Sequence, residues 1–390
     1  MNPRVAIVLA AGEGRRLRPL TRHRPKPMLP AVTKPILQHV FDVLVETGIS
    51  EIVVVVGHGR DRVQSHFGST YRDVPLTYVV QDKQLGSGHA LLTAASEIPG
   101  SALVVNGDQL VDERIVDDVS TNHDAAAAAT IATTRRDDVS LYGGVIIEDD
   151  RVVELVERPE DARNYRLNAG VYAIEPVVID VLESMDRKAG ELSLVDCLSE
   201  VIDRGETVRG IASEGLWIDA TYPWDLLEVA RALFDHGHVE SWVDEDARVH
   251  DSAVIREPVS ISADCVVGAG AVVGPYVSLG ANVTIGSGTV VEHSVVDADT
   301  RIGSGATVIE GVTGRGVQIG VGSTVVGGPG DVVVGDHIHQ RESLGALLAD
   351  RVTDEGGVTY APGTMVGPDA VIHSGATVNG TLESGVEVWH

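Results

Sequence analysis

Apolar residues in the first half of the chain alternate between short continuous runs and stripes with helical spacing. The continuous runs predict buried strands at residues 5–9, 51–56, 76–80 and 102–106. The stripes predict helices at residues 35–48, 60–67 and 222–234. Because strands and helices alternate, we expect a Rossmann-like α/β fold, in which helices cover both faces of a mostly parallel sheet. Ligands of such sheets bind beyond the carboxyl ends of the strands.

The second half changes to a six-residue repeat of aliphatic positions, and glycine often follows the repeating residue directly. The repeat begins with Val249, Ile255, Ile261, Val267, Val273, Leu279, Ile285 and Val291. A period of six fits neither a helix nor a hairpin, and it predicts a parallel β-helix whose short strands stack from coil to coil. An insertion at 327–351 interrupts the repeat, which returns at Val366, Ile372 and Val378. We therefore expect a first domain at 1–236, a linker at 237–246 and a β-helix domain at 247–390.

Composition narrows the class of protein. The chain has 390 residues, of which 43% are hydrophobic but only 4% aromatic, so the core is aliphatic. No apolar run approaches the roughly 18 residues that span a bilayer, and residues 1–5 lack a secretory apolar segment. The two cysteines, Cys197 and Cys265, lie far apart without metal-type spacing. We expect reduced thiols and a cytoplasmic protein without a membrane partner.

The formal net charge of −27 opposes binding to nucleic acid, and we exclude nucleic-acid partners on that ground. Lysine occurs only four times, at Lys26, Lys34, Lys83 and Lys188, whereas arginine is common. An acidic, lysine-poor composition resembles that of proteins from salt-loving archaea, where high salt screens the repulsion between like charges. In a chain that uses so little lysine, Lys26 is a conspicuous candidate for a functional group.

A glycine-containing segment with cations directly after it follows the first predicted strand. Small residues run from Ala10 to Gly14, and Arg15, Arg16, Arg18 and Lys26 follow. Exposed backbone N–H groups beside fixed cations are typical of a polyphosphate site. A dinucleotide-binding fingerprint is excluded, because Leu17 stands where its third glycine is needed. A P-loop is also excluded, because it requires a Gly-Lys-Ser/Thr sequence and the first lysine of this chain is Lys26. A basic surface loop is the alternative interpretation.

The segment Gly12-x-Gly14-x-Arg16-Leu17-x-Pro19-Leu20-Thr21, followed by Pro25-Lys26-Pro27, resembles the signature of the sugar-1-phosphate nucleotidylyltransferases. The resemblance implies that the loop wraps a nucleoside triphosphate. It implies that Arg16 steadies the phosphates in the transition state and that Lys26 also contacts phosphate. It further implies that five residues of this segment contact the nucleotide: Leu9, Ala10, Ala11, Gly12 and Gly14.

Two further groups of residues follow predicted strands. Gln81 can donate and accept hydrogen bonds at once, as reading a base edge requires, and the resemblance implies that Gln81, Gly86 and Ser87 touch a pyrimidine and its sugar. Asp108 follows the strand at 102–106, where a carboxylate can hold Mg²⁺ against phosphates. The resemblance implies that Asp219 is the second Mg²⁺ ligand. Taken alone, the Gln81 segment could be an ordinary loop between a strand and a helix, and Asp108 could be an ordinary turn aspartate.

The expected sugar-phosphate contacts lie between those two aspartates. A glycine-interrupted strand at Gly143 indicates close approach of the backbone, and Glu157 and Asn168 can bind sugar hydroxyls at two points. Arg158 stands where the family often has lysine, so it keeps the positive charge with a different geometry. A solvated surface acid is the alternative for Glu157.

The sequence therefore predicts a sugar-1-phosphate nucleotidylyltransferase: the sugar phosphate attacks the α-phosphorus of UTP or dTTP, pyrophosphate leaves, and an NDP-sugar forms. N-acetylglucosamine 1-phosphate and glucose 1-phosphate are both candidate substrates. The C-terminal repeat resembles the left-handed hexapeptide-repeat domain, whose members usually form trimers, so we expect a homotrimer. One alternative is a bifunctional enzyme that also transfers acetyl groups, although the family's His-Leu-(Ser/Thr)-Tyr segment is absent and His293, His337, His339 and His373 are unmatched. Another is a non-catalytic assembly protein of the same architecture.

Overall fold

A computed structural model describes residues 3–136, 139–161, 163–186 and 190–389. Met1 and Asn2 of the expected N-terminus, and Lys188, lie outside these described residues. The chain divides into two compact units, and both are discontinuous in sequence. The first consists of Met1–Glu13, Arg24–Met28 and Ile36–Asp219. The second consists of Gly14–His23, Leu29–Pro35 and Ala220–His390.

The first unit is built on a ten-stranded sheet. Its strands are β1 (Val5–Ala10), β2 (Glu51–Val56), β3 (Thr70–Tyr71), β4 (Val74–Val80), β5 (Ala102–Asn106), β6 (Ala129–Thr134), β7 (Gly143–Glu148), β8 (Arg151–Glu157), β9 (Arg166–Ile174) and β10 (Val208–Ala212). They lie side by side in the order β7-β8-β10-β6-β9-β5-β1-β2-β4-β3. The strands of the central group β5, β1, β2 and β4 are parallel to one another, as the aliphatic runs predicted.

The other half of the sheet is mainly antiparallel, which the sequence did not predict. The strand β9 runs antiparallel to both β5 and β6, and β7 and β8 form an antiparallel hairpin. Asp149 and Asp150 form the two-residue turn of this hairpin, with φ of 47° and 63°. Left-handed conformation at both central residues is typical of the turns that join tight hairpins, and aspartate tolerates it.

Helices cover both faces of this sheet, which confirms the expected layering. They are α1 (Ile36–Glu46), α2 (Arg60–Phe67), α3 (Ser87–Thr93), α4 (Glu113–Asn122), α5 (Pro176–Ser184) and α6 (Leu194–Asp203). Successive residues of β1 point to opposite faces: Ile7 and Leu9 belong to one aliphatic core, whereas Ala6 and Val8 belong to the other. The first core includes residues of α3, α5 and α6, and the second includes residues of α1, α2 and α4.

The second unit contains a parallel β-helix of three sheets. The first sheet comprises Trp242–Val243, Val259–Ile261, Val277–Leu279, Val295–Val296, Gly311–Thr313, Ala346–Leu348, Thr364–Val366 and Thr381–Leu382. The second comprises Arg248–Val249, Val266–Val267, Thr284–Ile285, Arg301–Ile302, Gln318–Ile319, Thr353–Asp354, Val371–Ile372 and Glu387–Val388. The third comprises Val254–Ile255, Val272–Val273, Val290–Glu292, Thr307–Ile309, Thr324–Val325, Thr359–Tyr360 and Thr377–Val378.

Aliphatic side chains of the repeat fill the interior of this β-helix and form a third core. The repeat changes length along the axis, because Val267 pairs with Ile285, eighteen positions further on, whereas Ile285 pairs with Ile302, seventeen further on. The strand Trp242–Val243 lies inside the segment 237–246 that the sequence assigned to a linker, and it pairs with Val259–Ile261. The coils therefore begin before residue 247.

The second unit also contains two hairpins and a helix. A hairpin of Gly330–Val334 and His337–Glu342 occupies the insertion between the coils. The helix α7 (Asp225–Asp235) precedes the β-helix, and a small hairpin joins Pro30–Ala31 to Lys34–Pro35. Among all the described residues, no helix is long and apolar enough to cross a membrane.

Candidate functional site

Lys26 of the first unit lies between the two aspartates that the sequence singled out. Its Nζ donates a hydrogen bond to Asp219 Oδ1 at 2.5 Å, and the same Nζ lies 3.2 Å from Asp108 Oδ2. The side chains of Lys26 and Asp219 are 9% and 7% exposed, whereas that of Asp108 is 37% exposed. The group is thus a buried ion pair with a second carboxylate open to solvent.

The charges of this cluster set the protonation of Lys26. Burial alone lowers the pKa of the Lys26 ammonium, because a low-dielectric surrounding disfavours the charged form. The charges of Asp108 and Asp219, and the hydrogen bonds to them, outweigh that effect and raise the pKa above its ordinary value. Lys26 therefore carries a full positive charge at neutral pH.

Local backbone structure explains how three distant residues meet. Asp108 follows β5 after a single glycine, at the carboxyl edge of the parallel strands. Asp219 ends the strand Trp217–Asp219, which pairs antiparallel with Gln109–Val111 so that Asp219 lies opposite Gln109. Lys26 begins a single turn of 3-10 helix between two prolines, which fix φ on either side of it. The cluster therefore sits where a parallel sheet binds its ligands.

The glycines near the end of β1 differ in what surrounds them. A Cβ added at Gly107 would lie 2.8 Å from Val8 Cγ1 and 2.9 Å from Ala10 Cβ, so glycine is needed there for packing. A Cβ added at Gly12 would meet no protein atom within 4 Å, and Gly12 is exposed. Leu9, Ala10 and Ala11 are buried and lead up to Gly12. The protein itself therefore gives no packing reason for glycine at position 12.

The expected base-reading segment is held by its own hydrogen bonds. Gln81 Nε2 donates to the Gly86 carbonyl at 3.1 Å and lies 2.9 Å from His89 Nδ1, which leaves the Gln81 carbonyl oxygen as its remaining polar atom. Ser87 Oγ accepts from the Leu194 N–H at 3.0 Å. His89 is thus a local partner of Gln81, and Gln81 itself is only 4% exposed.

The expected sugar-contacting residues form a second group within the first unit. Asn168 is buried; its Nδ2 donates to the Tyr172 hydroxyl at 2.9 Å, and its Oδ1 accepts from the Gly170 N–H at 3.1 Å. A Cβ added at Gly143 would lie 3.3 Å from Asn168 Cβ, so β7 passes close to this amide. The Asn168 amide therefore has a structural role, and a sugar hydroxyl would have to share its atoms.

Glu157 ends the hairpin strand β8, Arg158 follows it directly, and both residues are exposed. Desolvation by neighbouring protein atoms raises the pKa of the Glu157 carboxyl, and the charge of Arg158 partly opposes that rise. Arg158 adopts a left-handed backbone conformation with φ of 51°, and its N–H donates to the Tyr142 carbonyl at 2.7 Å. The turn at Arg158 thus connects the Glu157 strand end to Tyr142.

Three contacts in this region were missed by sequence reasoning. Gln84 Nε2 donates to the Ala11 carbonyl at 2.9 Å and ties the base-reading segment to the end of β1. Trp217 contacts the ring of Tyr142 edge-on at 5.0 Å between centroids, and the Arg136 guanidinium lies 5.5 Å from the centroid of Trp217. The partners in these contacts are far apart in the chain, and the residues next to each of them show no pattern that would have revealed the contacts.

Gly14 and Arg16 belong to the second unit. Gly14 has φ of 63° and begins a 3-10 turn at Arg15–Leu17, and its carbonyl accepts from Thr21 Oγ1 at 2.8 Å. The exposed Arg16 guanidinium lies 5.7 Å from the centroid of the Tyr222 ring. This distance is that of a cation–π contact.

The donor set at Lys26 fits the magnesium that the resemblance implies. Mg²⁺ is commonly held by one or two carboxylates together with water and substrate phosphates, and Asp108 and Asp219 supply two carboxylates. Within the described ranges, no group of three or more histidine, cysteine, aspartate or glutamate side chains is arranged to hold a metal. Both cysteines are buried, and burial raises the pKa of each thiol, that of Cys197 to about 12. A thiolate nucleophile is therefore disfavoured.

Comparison with known proteins agrees with this arrangement. Residues 5–236 match the family described as Nucleotidyl transferase, which is more than half of the chain. The chain belongs to the nucleotidyl transferase family. Residues 255–381 match a second family, described as GMPPB C-terminal domain. The family that the glycine-containing loop and Pro25-Lys26-Pro27 indicated is thereby confirmed.

Named relatives and a solved structure fall in the same group. The bifunctional protein GlmU of Methanococcus maripaludis is 34% identical over 227 residues, covering 57% of this chain and 52% of that relative. The UTP–glucose-1-phosphate uridylyltransferase AglF of Haloferax volcanii is 34% identical over 232 residues, covering 58% of this chain and 96% of that relative. UDP-glucose pyrophosphorylase, solved with UDP-glucose, superposes with a TM-score of 0.55 and 23% identity over 60% of this chain and 99% of its own, which shows a shared fold. This chain spans about half the length of the bifunctional relatives that it matches.

Proposed function

We propose that this protein transfers a nucleotidyl group from UTP or dTTP to a sugar 1-phosphate, with glucose 1-phosphate and N-acetylglucosamine 1-phosphate as the candidate acceptors. The observation that carries the proposal is the buried Lys26 between Asp108 and Asp219 at the carboxyl edge of the parallel strands. Such a cluster supplies one fixed cation and two metal-binding carboxylates, which is what a phosphoryl centre requires. The family membership and the named relatives point to the same reaction.

In this reaction an oxygen of the sugar phosphate attacks the α-phosphorus of the nucleoside triphosphate, the bond from that phosphorus to the bridging oxygen breaks, and pyrophosphate leaves. The protein's part is to position the reactants and neutralise their charge, so no covalent intermediate is required. Lys26 and Arg16 each bring a permanent cation to phosphate oxygens. Mg²⁺ held by Asp108 and Asp219 would neutralise phosphate charge when bound. Gln81, Gly86 and Ser87 contact the base and ribose, whereas Gly143, Glu157, Arg158 and Asn168 contact the sugar phosphate.

Three further properties belong to the proposal. A homotrimer through the β-helix is supported by a row of seven uncharged β-branched residues that stack along its third sheet: Val254, Val272, Val290, Thr307, Thr324, Thr359 and Thr377. A salt-rich archaeal host is supported by the net charge of −27 and by archaeal relatives. A cytoplasmic location follows from the substrates, since nucleoside triphosphates and sugar phosphates are cytoplasmic metabolites. Light scattering at high salt measures the number of chains directly.

The deciding experiment measures pyrophosphate release at high salt from each pair of four nucleoside triphosphates and several sugar 1-phosphates. We expect turnover with UTP or dTTP, dependence on Mg²⁺ or Mn²⁺, and complete loss of turnover with a chelator. Asp108→Asn should raise the metal concentration required and lower turnover, whereas Asp82→Asn, at an exposed position, should change neither. Release of pyrophosphate that persists in chelator, or an Asp108→Asn variant with normal metal dependence, contradicts the assignment. The same matrix with acetyl-CoA and glucosamine 1-phosphate tests the bifunctional alternative.

A further inference from the structure

The segment Gly14–His23, here called the arginine loop, belongs to the second unit. It carries four exposed arginines, which are Arg15, Arg16, Arg18 and Arg22. Two short 3-10 turns, Arg15–Leu17 and Leu20–Arg22, and the hydrogen bond from Thr21 to Gly14 give it local shape. Leu17 and Leu20 are buried and hold the backbone down. The direction of the exposed Arg16 side chain therefore depends on what its guanidinium contacts.

That guanidinium lies over Tyr222, which is itself part of an aromatic stack. The rings of Tyr222 and Trp224 are parallel within 6°, with centroids 4.8 Å apart. The N–H of Tyr222 donates to Asp225 Oδ2 at 2.7 Å, so the start of α7 fixes the backbone below the ring. Trp224 is 8% exposed and covers one face of Tyr222. The stack thus offers Arg16 a firmly held surface.

The third ring of this stack comes from the hairpin inserted between coils of the β-helix. The His339 ring lies 4.4 Å from Tyr222 and 5.1 Å from Trp224, tilted by 54° to each. His339 is paired with Val332 in the hairpin, and Val332 is fully buried. The hairpin is therefore anchored on the side that presents His339 to the stack.

The last coils of the β-helix hold the other end of the arginine loop. Arg22 Nη1 donates to Ser384 Oγ at 2.6 Å. His23 Nε2 lies 4.0 Å from Asp369 Oδ2, and both oxygens of Asp369 are also bound by Arg351, at 2.7 and 2.8 Å. Contacts from the C-terminal half therefore restrain the loop at Arg16 and again at Arg22 and His23.

We propose that His339 is a positioning residue for Arg16, and that the inserted hairpin contributes to nucleotidyl transfer through this one side chain. The imidazole ring fixes the Tyr222 ring, and the Tyr222 ring fixes the guanidinium. The proposal rests on the transition-state role of Arg16 under the proposed function. It assigns a purpose to an insertion that the six-residue repeat does not need.

The test compares three variants in the pyrophosphate assay. His339→Ala should lower kcat by about 3- to 10-fold, since an aromatic contact contributes a free energy of that order. The KM for the nucleotide should stay unchanged, because Arg16 acts in the transition state. His339→Phe keeps a ring in place and should retain most of the wild-type kcat. His337→Ala, at an exposed position two residues earlier on the same strand, is the matched control and should equal wild type.

A second measurement tests how firmly the arginine loop is held, independently of activity. Brief digestion with trypsin under native conditions should cleave after Arg15, Arg16 or Arg22 several-fold faster in His339→Ala than in wild type or His337→Ala. Mass spectrometry locates the cut. Equal cleavage in all variants, or an unchanged kcat in His339→Ala with an active wild type, overturns the positioning role. If wild type releases no pyrophosphate while cleavage still responds to His339→Ala, the proposed function fails and the restraint of the loop stands.

Discussion

Replacing Lys26 with methionine removes the cation from the buried cluster and keeps much of the side-chain volume. Asp219 then loses the partner of its 2.5 Å hydrogen bond, although its side chain is only 7% exposed. Removing one member of a buried ion pair costs roughly 3–5 kcal/mol, because the remaining buried charge loses its counter-charge. Asp108 is 37% exposed, so water screens its part, and we expect a loss near the lower limit, about 3 kcal/mol.

That loss converts into a measurable change in unfolding temperature. For a unit of this size, about 1 kcal/mol shifts Tm by roughly 2–4 °C, so Lys26→Met should unfold roughly 6–12 °C below wild type. Mg²⁺ would bind the two carboxylates in place of the lysine, and about a hundredfold excess over its Kd returns about 2.7 kcal/mol. The rise in Tm on adding Mg²⁺ should therefore be larger in Lys26→Met than in wild type.

Differential scanning calorimetry at constant high salt measures both effects. Lys83→Met is the control, because Lys83 is exposed and its removal changes the net charge equally. The pKa of Lys26 is raised above its ordinary 10.5, so its contribution to stability is complete below that pH and is lost only as pH rises through the raised value. The difference in Tm between Lys26→Met and Lys83→Met should stay constant from pH 6 to about pH 10. A Tm equal to that of Lys83→Met, or equal Mg²⁺ shifts in both proteins, would refute the reasoning.

Two further predictions concern residues with unusual surroundings. Gly12→Ala should leave Tm unchanged, because its Cβ meets no protein atom, yet it should lower pyrophosphate release at least about tenfold if the nucleotide occupies that space. The comparison variant Gly107→Ala should lose roughly 1–3 kcal/mol of stability, because the added Cβ would overlap Val8 and Ala10. Equal Tm values for Gly12→Ala and Gly107→Ala would contradict this distinction. Burial raises the pKa of Asp354, so its ionisation weakens the β-helix as pH rises from its ordinary pKa of 3.8 through the raised value. Thermal melts should show Asp354→Asn gaining stability relative to wild type over that rise, and a gap independent of pH would exclude the mechanism.

The sequence predicted the parallel core because its strands are uniformly aliphatic. Residues such as Val53 to Val56 are buried on both faces of the sheet, and a run of that composition has few other stable placements. The antiparallel half was missed because β6 and β7 are rich in alanine, threonine and glycine, whose pattern does not reveal strand direction. The turn at Asp149 and Asp150 makes β7 and β8 antiparallel, and only the backbone conformation reveals that turn.

One coil of the β-helix was hidden by its polar interior. At the inward positions where the repeat predicts aliphatic residues, the chain places Asp354 and Tyr360, and the Tyr360 hydroxyl donates to Asp354 at 3.1 Å. Asp354 also accepts from Ser323 and from the N–H groups of Gly320 and Gly356, so these polar groups satisfy one another. A search for apolar periodicity cannot detect such a coil.

The sequence likewise predicted only part of the candidate site. Lys26 could be singled out from its two prolines and from the rarity of lysine, but its pairing with Asp219 spans 193 positions, and no local pattern encodes it. The difference between Gly12 and Gly107 is equally invisible in the sequence, since it depends on which atoms approach each Cα. His339 was one of several unmatched histidines until the hairpin placed it against Tyr222.

The discontinuous second unit has a consequence for synthesis on the ribosome. Arg22 and its partner Ser384 are separated by 362 positions, so the arginine loop leaves the ribosome long before its partner exists. At about 5–20 residues per second, the delay is roughly 20–70 s. During that time the parallel strands of the first unit can form, but the loop is a basic segment that lacks its contacts with Tyr222 and Ser384. A nascent chain that stalls before the last coils would thus carry a formed sheet and an Arg16 without these restraints, and under the proposed function nucleotidyl transfer would become efficient only once those coils have formed.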